Sequence, residues 1–591
     1  RRSPTLPIYD ANGGWGGPDA QELPYLGQTA NPVRIALLNN NKTERIRALG
    51  NMYLELEVIR DLYLRTSLGI DYLLTNTDSF SPTWTEGVLA STIASESAAK
   101  STLANIMSEN TITYKKTFQA NHHLEVLAGY TAQLSTFEVI AAGSKNQLTN
   151  TVTTIDAGDP NPNRQAFGSK SQSSYLSFLG RINYAFQDKY LFTANIRRDG
   201  SSVFSSLHKY AVFPSFSAGW RISQERFMAG IPLISDLKIR GSWGQVGIDG
   251  NLGNGTEYAT IASGYLYNFG HTVYPGMAAN RVPNSSLKWE TVTQSDVGID
   301  LGLFDNRISL TADYFSKRYT NMITQRLIPV YAGIVNDGYY ENAVSQPINS
   351  ATVLNKGFEF ALNYRKSQGT FTYTLGANFT TFTNKVIKLD NEIVGGNTGN
   401  TPQGNLTRTV QGGSVGQFYG WLTDGIFQNQ NEVNQANALG DPNVPFQNGS
   451  TSPGDFRFRD LNGDGVINDK DRTYIGSPIP NFTYGFQANL GYKQFDLSLF
   501  FQGVQGSKIA NVNRFITESS GGFENKSKDM LQRWTDTNPT NAYPRAIATD
   551  PNFNDRFSNR FVEDGSYRGC AIFNWATNCL HPFCKNYPFI R

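Results

Sequence analysis

Apolar and polar residues alternate with a period of two along much of this chain. Phe482, Tyr484, Phe486, Ala488, Leu490 and Tyr492 fall on one side, and Thr483, Gly485, Gln487 and Asn489 on the other. After Lys493 and Gln494 the beat resumes as Phe495, Leu497, Leu499 and Phe501 against Asp496, Ser498 and Gln502. Successive side chains of a strand point to opposite faces, so each segment has one oily and one wet face. The same pattern sets Ile182, Tyr184 and Phe186 against Arg181 and Asn183. It also sets Ile308, Leu310, Ala312 and Tyr314 against Arg307, Ser309, Thr311 and Asp313, and Phe358, Phe360, Leu362 and Tyr364 against Glu359, Asn363 and Arg365. When the wet face carries charges in strand after strand, it predicts a hydrated lumen, and the oily face predicts lipid.

About fifteen strands of membrane-spanning length follow from this reading. They cover 47–59, 62–74, 111–120, 124–136, 173–186, 190–199, 210–222, 236–247, 287–303, 307–318, 350–366, 370–385, 481–492, 495–505 and 557–567. Connections at one end are mostly tight, as at Arg60-Asp61, Asp305-Asn306 and Lys493-Gln494, with 223–235 of moderate length. Those at the other end are long: 75–110, 137–172, 248–286, 319–349, 386–480 and 506–556. Short periplasmic turns and long extracellular loops are the asymmetry of an outer-membrane barrel. The Ala/Ser-rich stretch 87–107 predicts a short helix inside the first of these loops. The expected fold class is all-β, a transmembrane antiparallel β-barrel with long extracellular loops. Its organisation is an extracellular loop over 1–46, barrel over 47–567 and an aberrant tail over 568–591.

Composition agrees with strands. Aromatic residues make up 13% of the 591, there are 55 glycines, and only 39% of positions are hydrophobic. A formal net charge of +2 points to no nucleic-acid partner. The three cysteines, Cys570, Cys579 and Cys584, all lie in the tail, where the period-two beat stops. The tail therefore reads as a shifted frame or other sequence artefact, the other reading being a natural divergent end. The chain opens on Arg1-Arg2-Ser3 and reads as the middle of a longer protein.

One local motif carries metal chemistry. Asp460, Asn462, Asp464, Asn468 and Asp471 place side-chain oxygens at positions 1, 3, 5, 9 and 12 of a loop whose position 6 is Gly465. This is calcium-loop spacing, in which Val466 would add its backbone carbonyl. The flanks are strand-like, so the ion would staple a long loop rather than drive a switch. No organic cofactor is expected. Gly412-Gly-Ser-Val-Gly416 and Ser97-Ala-Ala-Lys100 match nucleophile patterns without their companions, and His122, His123, His208, His271 and His581 show no ligand spacing. No catalytic residues are named and no enzyme is expected. Phe418, Tyr419 and Trp421 are candidates to stack on a sugar or peptide, against the alternative of packing among the loops.

Several stretches resemble the SusC/RagA family of TonB-dependent outer-membrane transporters. They are Asn284-Ser-Ser-Leu287-Lys-Trp289-Glu290, Phe418-Tyr419-Gly420-Trp421 with Thr423-Asp424-Gly425-Ile426-Phe427, Pro453-Gly454-Asp455 leading into the Asp460 loop, and Ile475-Gly476-Ser477-Pro478. Their order and spacing cover most of 175–567. The resemblance implies a plugged barrel of about 22 strands, of which this chain holds part. It also implies nutrient uptake of an oligosaccharide or peptide across the outer membrane of a diderm bacterium. A SusD-like lipoprotein would be the lid, and a TonB complex would act through an N-terminal region. Two other classes fit the bare pattern: a passive porin or adhesin barrel, and a secreted calcium-dependent glycan-binding β protein.

Overall fold

The computed structural model describes residues 6–21, 30–159, 164–250, 252, 256, 258–279, 281–329, 345–366, 369–396, 405–519, 526–547 and 549–577. Its dominant element is one 15-stranded sheet in which every strand pairs antiparallel with its sequence neighbour in the wall. In chain order the strands are β1 (Asn40–Ile59), β2 (Leu62–Ser81), β3 (Ser95–Phe118), β4 (His122–Lys145) and β5 (Gln165–Phe186). Then come β6 (Tyr190–Ser201), β7 (Tyr210–Arg221), β8 (Ile234–Ile248), β9 (Glu290–Leu303) and β10 (Ile308–Leu327). The last five are β11 (Ser345–Lys366), β12 (Phe371–Lys388), β13 (Phe482–Tyr492), β14 (Phe495–Gln505) and β15 (Tyr567–Thr577). Among the described residues no other sheet has more than four strands, and none of them forms a second layer of comparable size over the oily faces.

The faces separate as the alternation requires. On β11, Phe358, Phe360, Leu362 and Tyr364 are 40–49% exposed and form a continuous outward apolar stripe. Cross-strand partners share it: Tyr314 lies opposite Phe358, and Ala312 opposite Phe360. Leaving such a stripe in water would be unfavourable by roughly 25 cal/mol for each Å² of apolar surface, so it implies lipid. Among the described residues no helix is long and apolar enough to cross a membrane; the strands are the spanning elements. The tight turns use left-handed backbone at Asp61, Gln187, Asp188, Asp305, Asn306 and Lys493. Asp and Asn tolerate that region better than most residues, which suits them to hairpin tips.

Three sequence expectations are corrected. The stretch 87–107 is not helical: Leu89–Ser91 is a short strand, and β3 begins at Ser95. Ser95–Phe118 pairs without a register shift against β4, so the ladder overrides the weak helical leaning of Ala and Ser. Several strands also run further into the predicted loops than their apolar stripe does, β1 from Asn40 and β4 to Lys145. Beyond the bilayer a strand needs its ladder but not an oily face. Finally, the strand expected at 557–567 lies ten residues later, at Tyr567–Thr577, paired with β14. Phe557, Ser558 and Phe561 are instead buried among the loops, with both phenylalanines at 0% exposure. The segment 568–577, expected to leave the barrel, therefore continues the wall. Cys570 lies on β15, whereas Cys579, His581 and Cys584 fall outside the described residues.

Most of the buried hydrophobic residues lie in the loops. The connections between β12 and β13 and between β14 and β15 contribute two clusters. One joins Trp421, Ile426, Phe427, Phe446, Phe456, Phe458, Ile467 and Trp534. The other joins Leu406, Phe418, Phe557 and Phe561.

Candidate functional site: lumen wall and loop body

The lumen face of the wall carries a charge network on β8, β9 and β10. Arg240 donates to Asp313 Oδ2 at 2.8 Å, to Asp300 Oδ2 at 3.2 Å and to Asp296 Oδ1 at 3.3 Å. Lys238 Nζ lies 3.1 Å from Asp300 Oδ2. Register explains the convergence: Gly298 is opposite both Arg240 and Asp313. A Cβ on Gly298 would collide with Asp313 Oδ1 and sit 2.8 Å from Arg240 Cζ. The glycine thus leaves the space in which a guanidinium spans three carboxylates. Beside this network a groove of about 480 Å³ is lined by Asn195, Ser215, Ser242, Gln294, Lys317 and Tyr319, among others. Hydroxyls, amides and one ammonium share the lining with Phe216, Trp243, Val246, Ile248 and Val292, so the groove offers hydrogen bonds and apolar contact together.

Above the wall the two long loops interlock. Arg545 forks onto Asp455 at 2.8 and 2.9 Å, and Asp455 is fully buried. The same carboxylate accepts from Asn554 Nδ2 at 3.0 Å and Ser452 N at 2.9 Å. Gly454 has φ +89°, and a Cβ there would lie 2.5 Å from Trp534. The Pro453-Gly454-Asp455 motif is therefore a turn pressed against an indole, followed by a buried anion. A Cβ on Gly420 would collide with the Phe557 carbonyl, which accepts from Trp421 N at 3.0 Å. Guanidinium groups complete the body. Arg472 lies 4.9 Å from the Tyr419 ring and 4.8 Å from the Trp421 ring. Arg556 lies 4.3 Å from Phe458. Burial pushes Arg556 down to about 10 and lowers Arg472 and Arg560 as well. Stacking on aromatic faces offsets part of that desolvation.

The three candidate stacking aromatics separate here. Phe418 and Trp421 are each 8% exposed and sit inside the two cores. Tyr419 is half-buried between Arg472 and Arg408, whose guanidinium is 4.6 Å from its ring. The Asp460 loop closes on itself. Asp460 accepts from Gly463 N at 2.7 Å and Gly465 N at 2.8 Å, Asn462 from Asp464 N at 3.0 Å, and Asp464 from Val466 N at 3.0 Å. Asp471 accepts from Leu461 N at 2.9 Å and Asn468 N at 2.8 Å, and Asn468 donates to the Val466 carbonyl at 3.2 Å. The hydrogen bond from Asn462 holds the Asp464 carboxyl below its ordinary range. Each carboxylate retains lone pairs beyond these bonds. Among the described residues no three His, Cys, Asp or Glu side chains form a metal-holding group. A cation here would depend on Asn462, Asn468 and the Val466 carbonyl as well as on carboxylates.

The chain matches, over residues 5–505, the family model described as TonB dependent receptor-like, beta-barrel. It belongs to that family. It is 33% identical over 576 residues to TonB-dependent receptor P3 of Formosa agariphila, covering 96% of this chain and 54% of the relative. To TonB-dependent receptor SusC of Bacteroides thetaiotaomicron it is 24% identical over 575 residues, covering 89% of this chain and 52% of the relative. The structure of the RagAB peptide transporter superposes with a TM-score of 0.75 at 23% identity, covering 91% of this chain and 56% of that one. The chain thus spans about half the length of the curated relatives it matches. Members of the TonB-dependent receptor family are outer-membrane transporters rather than enzymes.

In this receptor barrel the nucleophile-like matches dissolve. Ser97 and Lys100 lie on β3 at odd spacing, so they face opposite sides. Ser414 donates to Asn384 Oδ1 at 3.1 Å within a loop. His122 and His123 open β4, and His122 Nδ1 pairs with the Tyr184 hydroxyl at 2.7 Å. Sequence reasoning placed Asp313 on a wet face but missed the Arg240 network. The available signal was the pair of acids Asp296 and Asp300 on the same face of β9, flanking Gly298, beside the alternate bases Lys238 and Arg240 of β8.

Proposed function

We propose that this chain is the substrate-admitting wall and loop body of an outer-membrane transporter of a diderm bacterium that takes up oligosaccharide or peptide nutrients. A SusD-like surface lipoprotein serves as its lid, and a TonB complex supplies the work through the receptor's N-terminal region. The observation that carries the reading is the 15-stranded antiparallel sheet with an outward apolar stripe and a charged lumen face. Such a wall satisfies its backbone bonds between strands and offers solutes a wet interior. The names of SusC and of the RagAB peptide transporter among its likenesses favour a glycan or a peptide as cargo. The Asp460 loop, with Asp460, Asn462, Asp464, Val466, Asn468 and Asp471, binds calcium as a structural staple.

The test is growth of the native bacterium with the full-length gene deleted, on single oligosaccharides or defined peptides as limiting nutrient. Loss of growth on one such nutrient, restored by the intact gene and not by a copy lacking its TonB-contacting segment, is the expected result. Unimpaired growth on every member of both classes would sink the proposal.

A further inference from the structure

The outward face of the wall is oily up to a rim of aromatics, of which Tyr314 and Phe358 are a pair with rings 5.1 Å apart. Immediately above that rim, on the extracellular side, three exposed cations gather on adjacent strands. Arg318 of β10 and Lys385 of β12 both face Leu354 of β11 across the ladder. Lys356 lies two residues from Leu354 on the same face, between Ser316 and Thr383. Strand spacing puts Arg318 and Lys385 about 10 Å apart, with Lys356 about 7 Å along β11 from the Leu354 position. The outward residues alongside are Thr293, Ser295, Thr381 and Thr383, none of them acidic.

Two outward cations elsewhere on the wall are matched by acids. Lys42 pairs with Glu44 at 2.6 Å, and Lys170 lies 4.0 Å from Glu138. Arg318, Lys356 and Lys385 form no ion pair among the described residues. Three unmatched positive groups with hydroxyls between them, on the lipid-facing side and at headgroup height, fit one kind of occupant. We propose that this patch binds the phosphate groups of a phosphorylated glycolipid in the outer leaflet. The guanidinium and two ammonium groups supply charge-assisted hydrogen bonds, and Ser316 and Thr383 supply neutral ones. The aromatic rim below takes the acyl–headgroup boundary. A soluble acidic partner would have to displace headgroups to reach the same position. The proposal rests on the outer-membrane reading above.

The experiment uses the full-length receptor in detergent and titrates bis-phosphorylated lipid A, its dephosphorylated form and inorganic phosphate. Wild type should bind the phosphorylated lipid on the order of 10-fold or more tighter than the dephosphorylated one. Arg318→Ser with Lys356→Ser and Lys385→Ser should erase the difference, Lys356→Arg with Lys385→Arg should keep it, and Lys170→Ser should leave it unchanged. Equal affinity for the two lipids, or an unaltered preference in the triple variant, overturns the proposal. Binding of inorganic phosphate as tight as that of the lipid overturns the lipid assignment. Recovery of both proteins in the outer-membrane fraction reads the premise separately. If neither reaches that membrane, the transporter reading has failed rather than the lipid site.

Discussion

The strand wall and the loop body are held together in opposite ways. The wall has a nearly unbroken backbone ladder and few buried side chains; even on its central strands the large apolar residues remain about half exposed, awaiting lipid. The loop body has short strands of at most four residues and a dense interior of Phe, Trp and buried Arg. In the first, solvent choice does the sorting: lipid outside, water inside. In the second, ordinary core packing and a buried ion pair do it. The two regions should therefore fail for different reasons and independently.

The sharpest way to break this contrast is Phe557→Ala. Emptying a fully buried aromatic site costs about 3–5 kcal/mol. The expected outcome, in the complete receptor, is loss of protease protection across 405–480 and 506–566 with the wall's heat-modifiable migration on gels unchanged. Joint loss of both would show that the regions are one cooperative unit. Next in size is Phe360→Arg, which places a cation on the lipid stripe at about 2–4 kcal/mol near the bilayer midplane. Membrane yield and refolding into vesicles should fall while the protection of loops in assembled receptor persists. The smallest effect belongs to the Asp460 loop. Chelation of calcium, or Asp460→Ala with Asp464→Ala, should quicken cleavage within 389–480 by a few-fold and leave the wall untouched; identical cleavage with and without chelator would remove the staple. These losses would be partial because the loop's own hydrogen bonds persist without an ion.

The contrast also explains what could be read from the amino-acid sequence. Lipid imposes a period-two stripe, so 358–364, 482–492 and 495–501 declared themselves. Strand extensions above the membrane, such as 95–101, carry Ala, Ser and charged residues in place of an oily stripe. Only their neighbours reveal them. Position 557–567 alternates like a strand, yet its phenylalanines serve a core built from residues more than a hundred positions earlier. Phe418 and Trp421 show the same ambiguity, since an aromatic destined for a ligand and one destined for a core look alike in one dimension. Asp455 and Arg545 are 90 residues apart, and no local spacing announces their pairing. The spacing of the Asp460 loop shows in one dimension because its carboxylates bond to backbone groups no more than ten residues away; its calcium is a proposal.

The β3–β4 hairpin runs from the Ser95–Lys145 pair to the Phe118–His122 pair without a single slip. One codon added anywhere along it would turn the lipid stripe toward the channel for every residue beyond the insertion, on the strand that received it. Two codons would restore the order. Variation in the height of this wall is therefore confined to even steps, and its odd-numbered insertions must gather at the hairpin tips and in the loops.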